Sequence, residues 1–261
     1  MLENNFIQIT SLNNEIVKDC AKLHQKKYRK EAGLLVLEGE KSVFGALEDN
    51  VKIKSVFVCE EELACKVAQK NKDIKIYLIN DKIMGKISQT VSPTNILALA
   101  LEPKYNFDDF LKMKKIALLD NIKDAGNLGT IIRSAIAFGI EGILLYGECV
   151  DEFSSKVIRS SAGNIFKIPI IHLGSDTRAI EKLKKTHKII MTVVDKNAKD
   201  PCELDLKENI CVMFGSEANG LCNELLTLGD VPVTLKMDKN VESLNLSVFA
   251  GIMFFILNRS N

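Results

Sequence analysis

The chain has 261 residues, of which 46% are hydrophobic and 26% charged, proportions that exclude a wholly disordered or fibrous protein. Its formal net charge of +1 excludes bulk electrostatic attraction to an anionic polymer, so a nucleic-acid site requires local clusters of charge. The seven cysteines form no C-x-x-C pair, and none lies at metal-ligand spacing from a histidine, so we expect neither a metal site nor a disulfide framework.

Export and membrane signals are not expected either. The first ten residues, MLENNFIQIT, lack a basic segment followed by an apolar one. The longest apolar run, Val248 to Leu257, is shorter than the roughly 20 residues that cross a bilayer and predicts a buried helix. We therefore expect a cytoplasmic protein with no membrane partner.

The first hundred residues alternate helical patterns with short apolar runs. Helical spacing predicts helices over 14–23, 41–47 and 61–69, and apolar runs predict strands over 34–37, 53–59, 74–79 and 96–101. This is the pattern of a small α/β domain. A segment with mixed charge, a proline and aromatic residues follows. We therefore predict one domain over 1–102, a linker over 103–113 and a second domain over 114–261.

The second domain has a more regular pattern. Strands are predicted over 116–119, 142–146, 168–172, 188–194, 209–214 and 231–237, and helices over 128–137, 153–160, 178–185 and 242–257. This alternation predicts a mostly parallel sheet covered on both faces. Such sheets bind ligands beyond the carboxyl ends of their strands. The informative loops should follow Leu119, Val194, Phe214 and Met237.

The first of these loops opens the segment from Asp120 to Ala135. Gly126 and Gly129 predict a turn into a helix N-terminus, where N–H groups and the helix dipole favour an anion. Arg133 follows Gly126 by about two helical turns and is placed to reach a phosphate or carboxylate. A plain β–α turn with a solvated arginine is the alternative. The glycines do not form G-x-G-x-x-G, which argues against a nicotinamide fold.

Two later loops are also dense in polar residues. Gly215 permits close approach of a ligand to the backbone, and Glu217 with Asn219 offers hydrogen-bonding groups, although an ordinary Asn-Gly turn is the alternative. Ser243 and Asn245 belong to a polar stretch before the last helix. Simple N-capping explains one of its residues but hardly all of them.

A basic cluster lies near the start of the chain. It comprises Lys18, Lys22, Lys26, Lys27, Arg29 and Lys30. Such clusters supply phosphate affinity without base specificity, and Tyr28 among them can stack on an unpaired base. A solvated helix face is the alternative.

Taken together, these loops resemble in order and spacing the three motifs of the SpoU (TrmH-like) RNA methyltransferases. The matches are N-x-G-x-x-x-R at Asn127, Gly129 and Arg133, G-x-E-x-x-G at Gly215, Glu217 and Gly220, and S-L-N-x-S at Ser243, Leu244, Asn245 and Ser247. A further segment, from Arg159 to Gly163, is similar to the family, and the resemblance runs from Lys114 to the end of the chain. Residues 18–39 resemble the substrate-binding domain often fused to this enzyme. Ala125 and Lys236 stand where the family usually has proline.

The resemblance implies a C-terminal methyltransferase domain with a knotted (trefoil), mostly parallel sheet and a smaller N-terminal α/β domain, ribosomal-protein-like and RNA-binding. It also implies a homodimer with the active site near the subunit interface. S-adenosylmethionine would bind the loops around Gly215, Leu235, Met237 and Leu244, with Val194 closing one side. Lys26, Lys27, Arg29 and Arg159 would contact RNA.

The implied reaction is attack of a ribose 2'-oxygen on the sulfonium methyl of the cofactor. Arg133 is the family's proposed participant. Because an arginine is effectively always protonated, we expect it to hold an RNA phosphate and orient the hydroxyl rather than act as a base. Asn127, Glu217, Ser243 and Asn245 would hold these groups in place. We expect ribosomal RNA as substrate rather than transfer RNA.

Three alternatives remain open. The first is a methyltransferase of the same fold that acts on a base nitrogen. The second is a non-catalytic RNA-binding protein that retains the fold, and the third is a nicotinamide-dependent oxidoreductase. The polar positions kept in all three motifs argue against a non-catalytic protein.

Overall fold

The computed structural model describes residues 6–90, 94–204, 209–238, 240–241 and 243–259. In chain order the strands are β1 (Ile7–Ile9), β2 (Leu34–Glu38), β3 (Ile53–Val58), β4 (Lys75–Ile79), β5 (Ile96–Leu101), β6 (Lys115–Asp120), β7 (Gly142–Tyr146), β8 (Ile170–Gly174), β9 (Lys188–Thr192), β10 (Ile210–Phe214) and β11 (Val231–Val233). The α-helices are α1 (Glu15–Lys22), α2 (Lys26–Ala32), α3 (Glu40–Glu48), α4 (Glu61–Lys70), α5 (Asp81–Ile87), α6 (Phe107–Phe110), α7 (Ala125–Ala137), α8 (Ser155–Ser160), α9 (Thr177–Leu183), α10 (Asn223–Leu228) and α11 (Leu246–Arg259).

The chain divides into two compact units. The first comprises Met1–Pro103 with Phe153–Phe166, and the second comprises Lys104–Glu152 with Lys167–Asn261. The predicted division did not anticipate that 153–166 packs with the first unit, where α8 contacts β2. A sequence pattern groups a segment with the residues next to it in the chain. The structure instead groups 153–166 with the first unit, because the segment packs against a strand that is distant in the sequence.

The first unit is an α/β fold around a five-stranded mixed sheet. Its strand order is β1-β4-β3-β5-β2, with β5 antiparallel to both of its neighbours and β4 parallel to both of its own. Phe57 and Tyr77 stack with ring centroids 5.0 Å apart in the core beneath α1 and α5. The Asn14 side chain caps α1 by accepting from the N–H of Ile16, and left-handed Gly33 ends α2.

The second unit confirms the predicted parallel sheet. Its six strands run in the order β11-β9-β10-β6-β7-β8, and each adjacent pair is parallel. On β10, Met213 belongs to the core cluster shared with α9 and α10, whereas Phe214 packs edge-on against Phe249 and Phe254, both in α11. Both faces are therefore covered, which is why these strands are continuous apolar runs.

Several predicted boundaries were wrong. The strand predicted over 231–237 ends at Val233, because the strand with which it pairs, β9, ends opposite it at Thr192. The helix predicted from 242 begins at Leu246, and Glu242 itself lies outside the described residues. The elements β1, α2, α5, α6 and α10 were not predicted. Among the residues described, no helix is long and apolar enough to cross a membrane.

Candidate functional site

The carboxyl ends of four neighbouring strands, β11, β9, β10 and β6, meet at one edge of the parallel sheet. Their loops are tied together by hydrogen bonds. The Thr192 hydroxyl donates to the Met213 carbonyl over 2.8 Å, and the Val193 N–H donates to the Val233 carbonyl over 2.9 Å. The loops predicted to carry the chemistry therefore adjoin one another, as the rule for parallel sheets requires.

Polar side chains from all three motifs meet in one hydrogen-bonded network. The Asn127 amide donates to Glu217 Oε1 and accepts from Asn245 Nδ2 over 3.0 Å. Asn245 Oδ1 in turn accepts from the N–H of Ser247 over 2.9 Å and from its hydroxyl over 2.7 Å. Asn127 and Asn245 are 118 positions apart in the chain. Asn127 is the junction of the network because its amide both donates and accepts.

Asn127 is held by the start of α7. The helix begins at Ala125 rather than at the predicted residue 128, because Asp124 is its N-cap and accepts from the N–H of Asn127 over 2.8 Å. The N–H groups at the start of this helix were predicted to attract an anion, and one of them is therefore already bonded to Asp124. Ala125 occupies the first helical position, where proline is common because no N–H is required there. Alanine in its place is consequently well tolerated.

Arg133 lies on the exposed side of α7. It shares a helix face with Gly126, and long side chains on a helix lean toward its N-terminus. A side chain at this position is therefore expected to lean toward the end of the helix that carries Asn127. No hydrogen bond or ion pair joins its guanidinium to another residue in the described part of the chain, so the charge is available to an anionic ligand.

A tight turn presents Glu217 to this network. Ser216 and Gly220 exchange two backbone hydrogen bonds of 3.0 and 2.9 Å, and Gly220 has φ +65°. A Cβ at Gly215 would lie 2.0 Å from the Gly220 carbonyl carbon and 2.2 Å from the Leu221 nitrogen. Only glycine fits at position 215, so the role of this residue is to let the turn close behind Glu217.

Sequence reasoning missed Asp120, the last residue of β6. Its side chain is 1% exposed and accepts from the Cys222 N–H over 2.7 Å and from Asn121 Nδ2 over 2.6 Å, which fixes the loop after β10 to the end of β6. An acidic residue at the end of a continuous apolar strand was the available signal. Burial raises the pKa of Cys222 to about 11, so its thiol stays protonated at neutral pH and is a poor proton acceptor.

The predicted cofactor-binding residues supply exposed apolar side chains at the same edge. Val194, after β9, is 93% exposed and Met237, after β11, is 37% exposed, while Leu235 and Leu244 are half-buried. Apolar side chains with a few polar groups beside them are the usual lining of small-molecule sites. Lys236, at the second departure from the family pattern, lies 3.9 Å from Asp200 Oδ2 and so links the loops after β11 and β9.

Two predicted catalytic residues lie outside the network. Ser243 is exposed and has no hydrogen bond to another described residue, and Arg133 is likewise unpaired there. Across the described ranges, no group of three or more His, Cys, Asp or Glu residues is arranged to hold a metal ion.

The predicted RNA-contact residues all belong to the first unit. Lys26 and Lys27 are exposed on α2, and Arg159 is exposed on α8. The structure corrects the expectation for Arg29, which is only 6% exposed and donates from Nη1 to the carbonyls of Leu23, over 2.8 Å, and His24, over 3.0 Å. Its guanidinium stabilises the turn between α1 and α2 and is not placed to face RNA.

The chain matches two protein-family models and is similar to known RNA methyltransferases. Residues 114–255 match the model of the SpoU rRNA Methylase family, and residues 14–98 match that of the MRM3-like substrate binding domain. The chain is 31% identical to an uncharacterized tRNA/rRNA methyltransferase of Synechocystis sp. over 99% of this chain and 96% of that protein. It is 29% identical to the 23S rRNA (guanosine(2553)-2'-O)-methyltransferase RlmP of Bacillus subtilis over 96% of this chain and 98% of that protein.

Among solved structures, it is similar to an AdoMet-bound rRNA methyltransferase from Sinorhizobium meliloti. The TM-score is 0.87 at 30% identity, and the match covers 97% of each chain. The similarity therefore extends over both units.

Proposed function

Because this chain belongs to the SpoU rRNA methylase family, we propose that it transfers a methyl group from S-adenosylmethionine to a ribose 2'-hydroxyl of ribosomal RNA. The observation that carries the proposal is the network joining Asn127, Glu217 and Asn245, which brings all three motifs to one edge of the sheet. A protein that only bound RNA would have no need to join these three motifs at the edge of the sheet where Val194 and Met237 are exposed. The ribose target is supported by the relative RlmP, whose name specifies 2'-O-methylation.

The cofactor would bind against the exposed apolar side chains of Val194 and Met237 and the half-buried Leu235 and Leu244. When bound, S-adenosylmethionine supplies an electrophilic methyl group already activated by the positive charge on sulfur. The protein therefore needs to position the two reactants, a contribution worth up to about 7–11 kcal/mol in well-oriented systems. Gly215 contributes by keeping its loop closed behind Glu217.

The acceptor ribose would lie between the network and Arg133. The 2'-hydroxyl of that ribose would be the group that receives the methyl, and its proton would leave to solvent at this exposed edge. The guanidinium of Arg133 would bind the adjacent phosphate and orient the hydroxyl. Asn127 and Asn245 hold Glu217 and the start of α11 in fixed positions around the acceptor ribose. Ser243, in the segment before α11, contributes a hydroxyl.

The first unit would bind the RNA. Lys26, Lys27 and Arg159 are exposed and contribute phosphate affinity. Ribosomal RNA is favoured over transfer RNA because RlmP and the Sinorhizobium meliloti protein are both named for ribosomal RNA. Transfer RNA is the alternative substrate.

We further propose that the protein is a homodimer. Val248, Ile252 and Phe255 are 51%, 37% and 45% exposed and form one apolar face of α11. They line a shallow groove together with Thr130 and Ser134 of α7, which lie three residues before and one residue after Arg133. A second copy of the chain would cover this face, because an apolar surface on two packed helices needs a partner and this one adjoins the proposed site.

The knotted topology is also a proposal. β11 lies at the edge of the sheet, yet α11 packs against α7, which follows the central strand β6. α11 also contacts the 3₁₀ turn Pro201–Glu203 in the loop after β9. A C-terminal segment that runs from the edge strand β11 to α7, beside the loop after β9, has the arrangement that is needed if that segment is threaded through the loop.

Transfer of labelled methyl from S-adenosylmethionine to total bacterial RNA tests the proposal. Nucleoside analysis should yield a 2'-O-methylated nucleoside, and the labelled RNA species identifies the substrate. A methylated base would overturn the ribose assignment, and no transfer together with no cofactor binding would favour a non-catalytic RNA-binding protein. Arg133→Ala should abolish transfer yet leave cofactor affinity within a few-fold. Full activity of that variant would refute the role given to Arg133.

A further inference from the structure

The first unit contains an open groove that the proposed reaction does not use. Its volume is about 630 Å³, within the range of roughly 300–1,000 Å³ that is typical of small-ligand sites. It lies at the end of the mixed sheet where β3 and β4 begin, beside α1 and α2. Tyr28, Tyr77, Ser55, Lys54 and Lys75 are the lining residues that bear on its chemistry.

Two lysines at this end of the sheet give the groove a cationic rim. Lys75 begins β4, and its register partner on β3 is Ser55. Lys54 is the extra residue where the register of β3 against β5 shifts between Ile53 and Ser55, and such a bulge redirects a side chain. Both lysines are exposed, and neither has an ion-pair partner among the described residues. Of the other charged residues that line the groove, Lys22 is paired with Asp19 at 2.8 Å, and Glu31 lies 4.0 Å from Lys27.

Two buried hydroxyl-bearing side chains face the same space. Ser55 is 6% exposed and Tyr77 is 8% exposed, and both line the groove. Neither hydroxyl has a hydrogen-bond partner within the part of the chain that the structure describes. Both oxygens remain open to the groove, so each is available to hydrogen-bond a polar ligand there.

An aromatic wall is the third feature. Tyr28 is half-buried against the core at the edge of the groove, with the Lys27 ammonium 5.9 Å from its ring centroid. One face of Tyr77 is already covered by Phe57, so its hydroxyl rather than its ring is what a ligand meets. An aromatic ring can stack on a base, hydroxyl groups can bond to the polar edge of that base, and cations can bind a phosphate. Together these groups match the parts of a nucleotide.

We propose that this groove holds one unpaired nucleotide of the RNA substrate. The base stacks on Tyr28 with its polar edge toward the Ser55 and Tyr77 hydroxyls, and Lys54 and Lys75 bind the adjoining phosphates. The inference rests on the proposed function for its ligand class. It adds that the first unit reads an unpaired nucleotide as well as contacting the phosphate backbone.

The test compares two labelled RNA hairpins that differ only in a single bulged nucleotide, bound to the full-length chain without S-adenosylmethionine. The wild type should bind the bulged hairpin at least several-fold more tightly. The double variant Lys54→Ala/Lys75→Ala should weaken that binding about tenfold and reduce the salt slope by about 1.4, the value for two phosphate contacts to single-stranded RNA. Tyr77→Phe keeps the ring and should lose only part of the preference for the bulge.

The matched control is Lys52→Ala/Lys72→Ala, which removes the same charge from exposed lysines that do not line the groove. It should leave the preference for the bulge unchanged. Equal binding of both hairpins by the wild type, or equal losses in the two lysine double variants with unchanged melting temperatures, would overturn the proposal. Because the assay contains no methyl donor, its result is independent of whether methyl transfer occurs.

Discussion

Asn127→Ala tests whether the hydrogen-bonded network serves activity or stability. The substitution removes the donor to Glu217 and the acceptor for Asn245, two hydrogen bonds that join three separate segments. Each such bond contributes about 0.5–1.5 kcal/mol net, and less where water replaces the partner. Since Glu217 and Asn245 are exposed, we expect a loss of about 1–2 kcal/mol in the free energy of unfolding, or a few degrees in Tm.

The effect on catalysis should be larger. If the network fixes the loops around the acceptor ribose, its loss allows displacement of about 1 Å, and such misplacement costs on the order of 100-fold in kcat. That factor corresponds to about 2.7 kcal/mol of transition-state free energy. We therefore expect kcat to fall about 100-fold while S-adenosylmethionine affinity changes only a few-fold. Steady-state methyl transfer, equilibrium cofactor binding and thermal unfolding by circular dichroism measure the three quantities.

Two variants serve as controls for this prediction. Glu217→Gln keeps an acceptor oxygen for Asn127 and should retain more activity than Asn127→Ala. Asn219→Ala removes an exposed amide from the same turn, with no side-chain hydrogen bond to a described residue, and should behave like the wild type. The reasoning is refuted if Asn127→Ala keeps kcat within about threefold, or if its Tm falls so far that lost activity merely reports unfolding.

Three further predictions concern the second unit. Asp120→Asn leaves one acceptor oxygen for two donors, the Cys222 N–H and Asn121 Nδ2, so one donor loses its acceptor and the free energy of unfolding should fall by about 1–3 kcal/mol; an unchanged urea midpoint would contradict this. Burial lowers the pKa of His187 below 6.5, so the unfolded chain binds this proton more readily than the folded chain does. The contribution of His187 to the free energy of unfolding should therefore be fully present above pH 6.5 and decline as the pH falls below that value. Melting curves should show a smaller decline for His187→Gln. Phe255→Glu should convert a dimer into a monomer in sedimentation experiments, whereas Leu226→Glu, at an equally exposed apolar position on α10, should not.

The chemistry-bearing loops could be predicted from sequence because each follows a recognisable apolar strand. Parallel strands place their carboxyl ends at one edge, so the polar residues after β6, β10 and β11 were expected to be neighbours. Asn127, Glu217 and Asn245 are indeed joined by hydrogen bonds. The spacing did not reveal that Asn127 is the junction, since the partner of an amide depends on its position in three dimensions.

Arg29 shows where a charge pattern misleads. In the sequence it is one of six basic residues in a short segment, and all six had the same expected role. In the folded chain it is buried and binds two backbone carbonyls, while Lys26 and Lys27 remain exposed. Composition gives the charge of a segment but not which side chains its helix turns inward.

The sequence by itself determined the fold class, the parallel sheet and the family, because strand patterns and motif order are local and survive without knowledge of contacts. Tertiary structure alone decided the rest: the packing of 153–166 with the first unit, the tie between Asp120 and the loop after β10, and the groove between Tyr28 and Lys75. Each of these depends on residues distant in the chain that meet only after folding. A linear sequence pattern contains no information about which residues, far apart in the chain, lie close together in space.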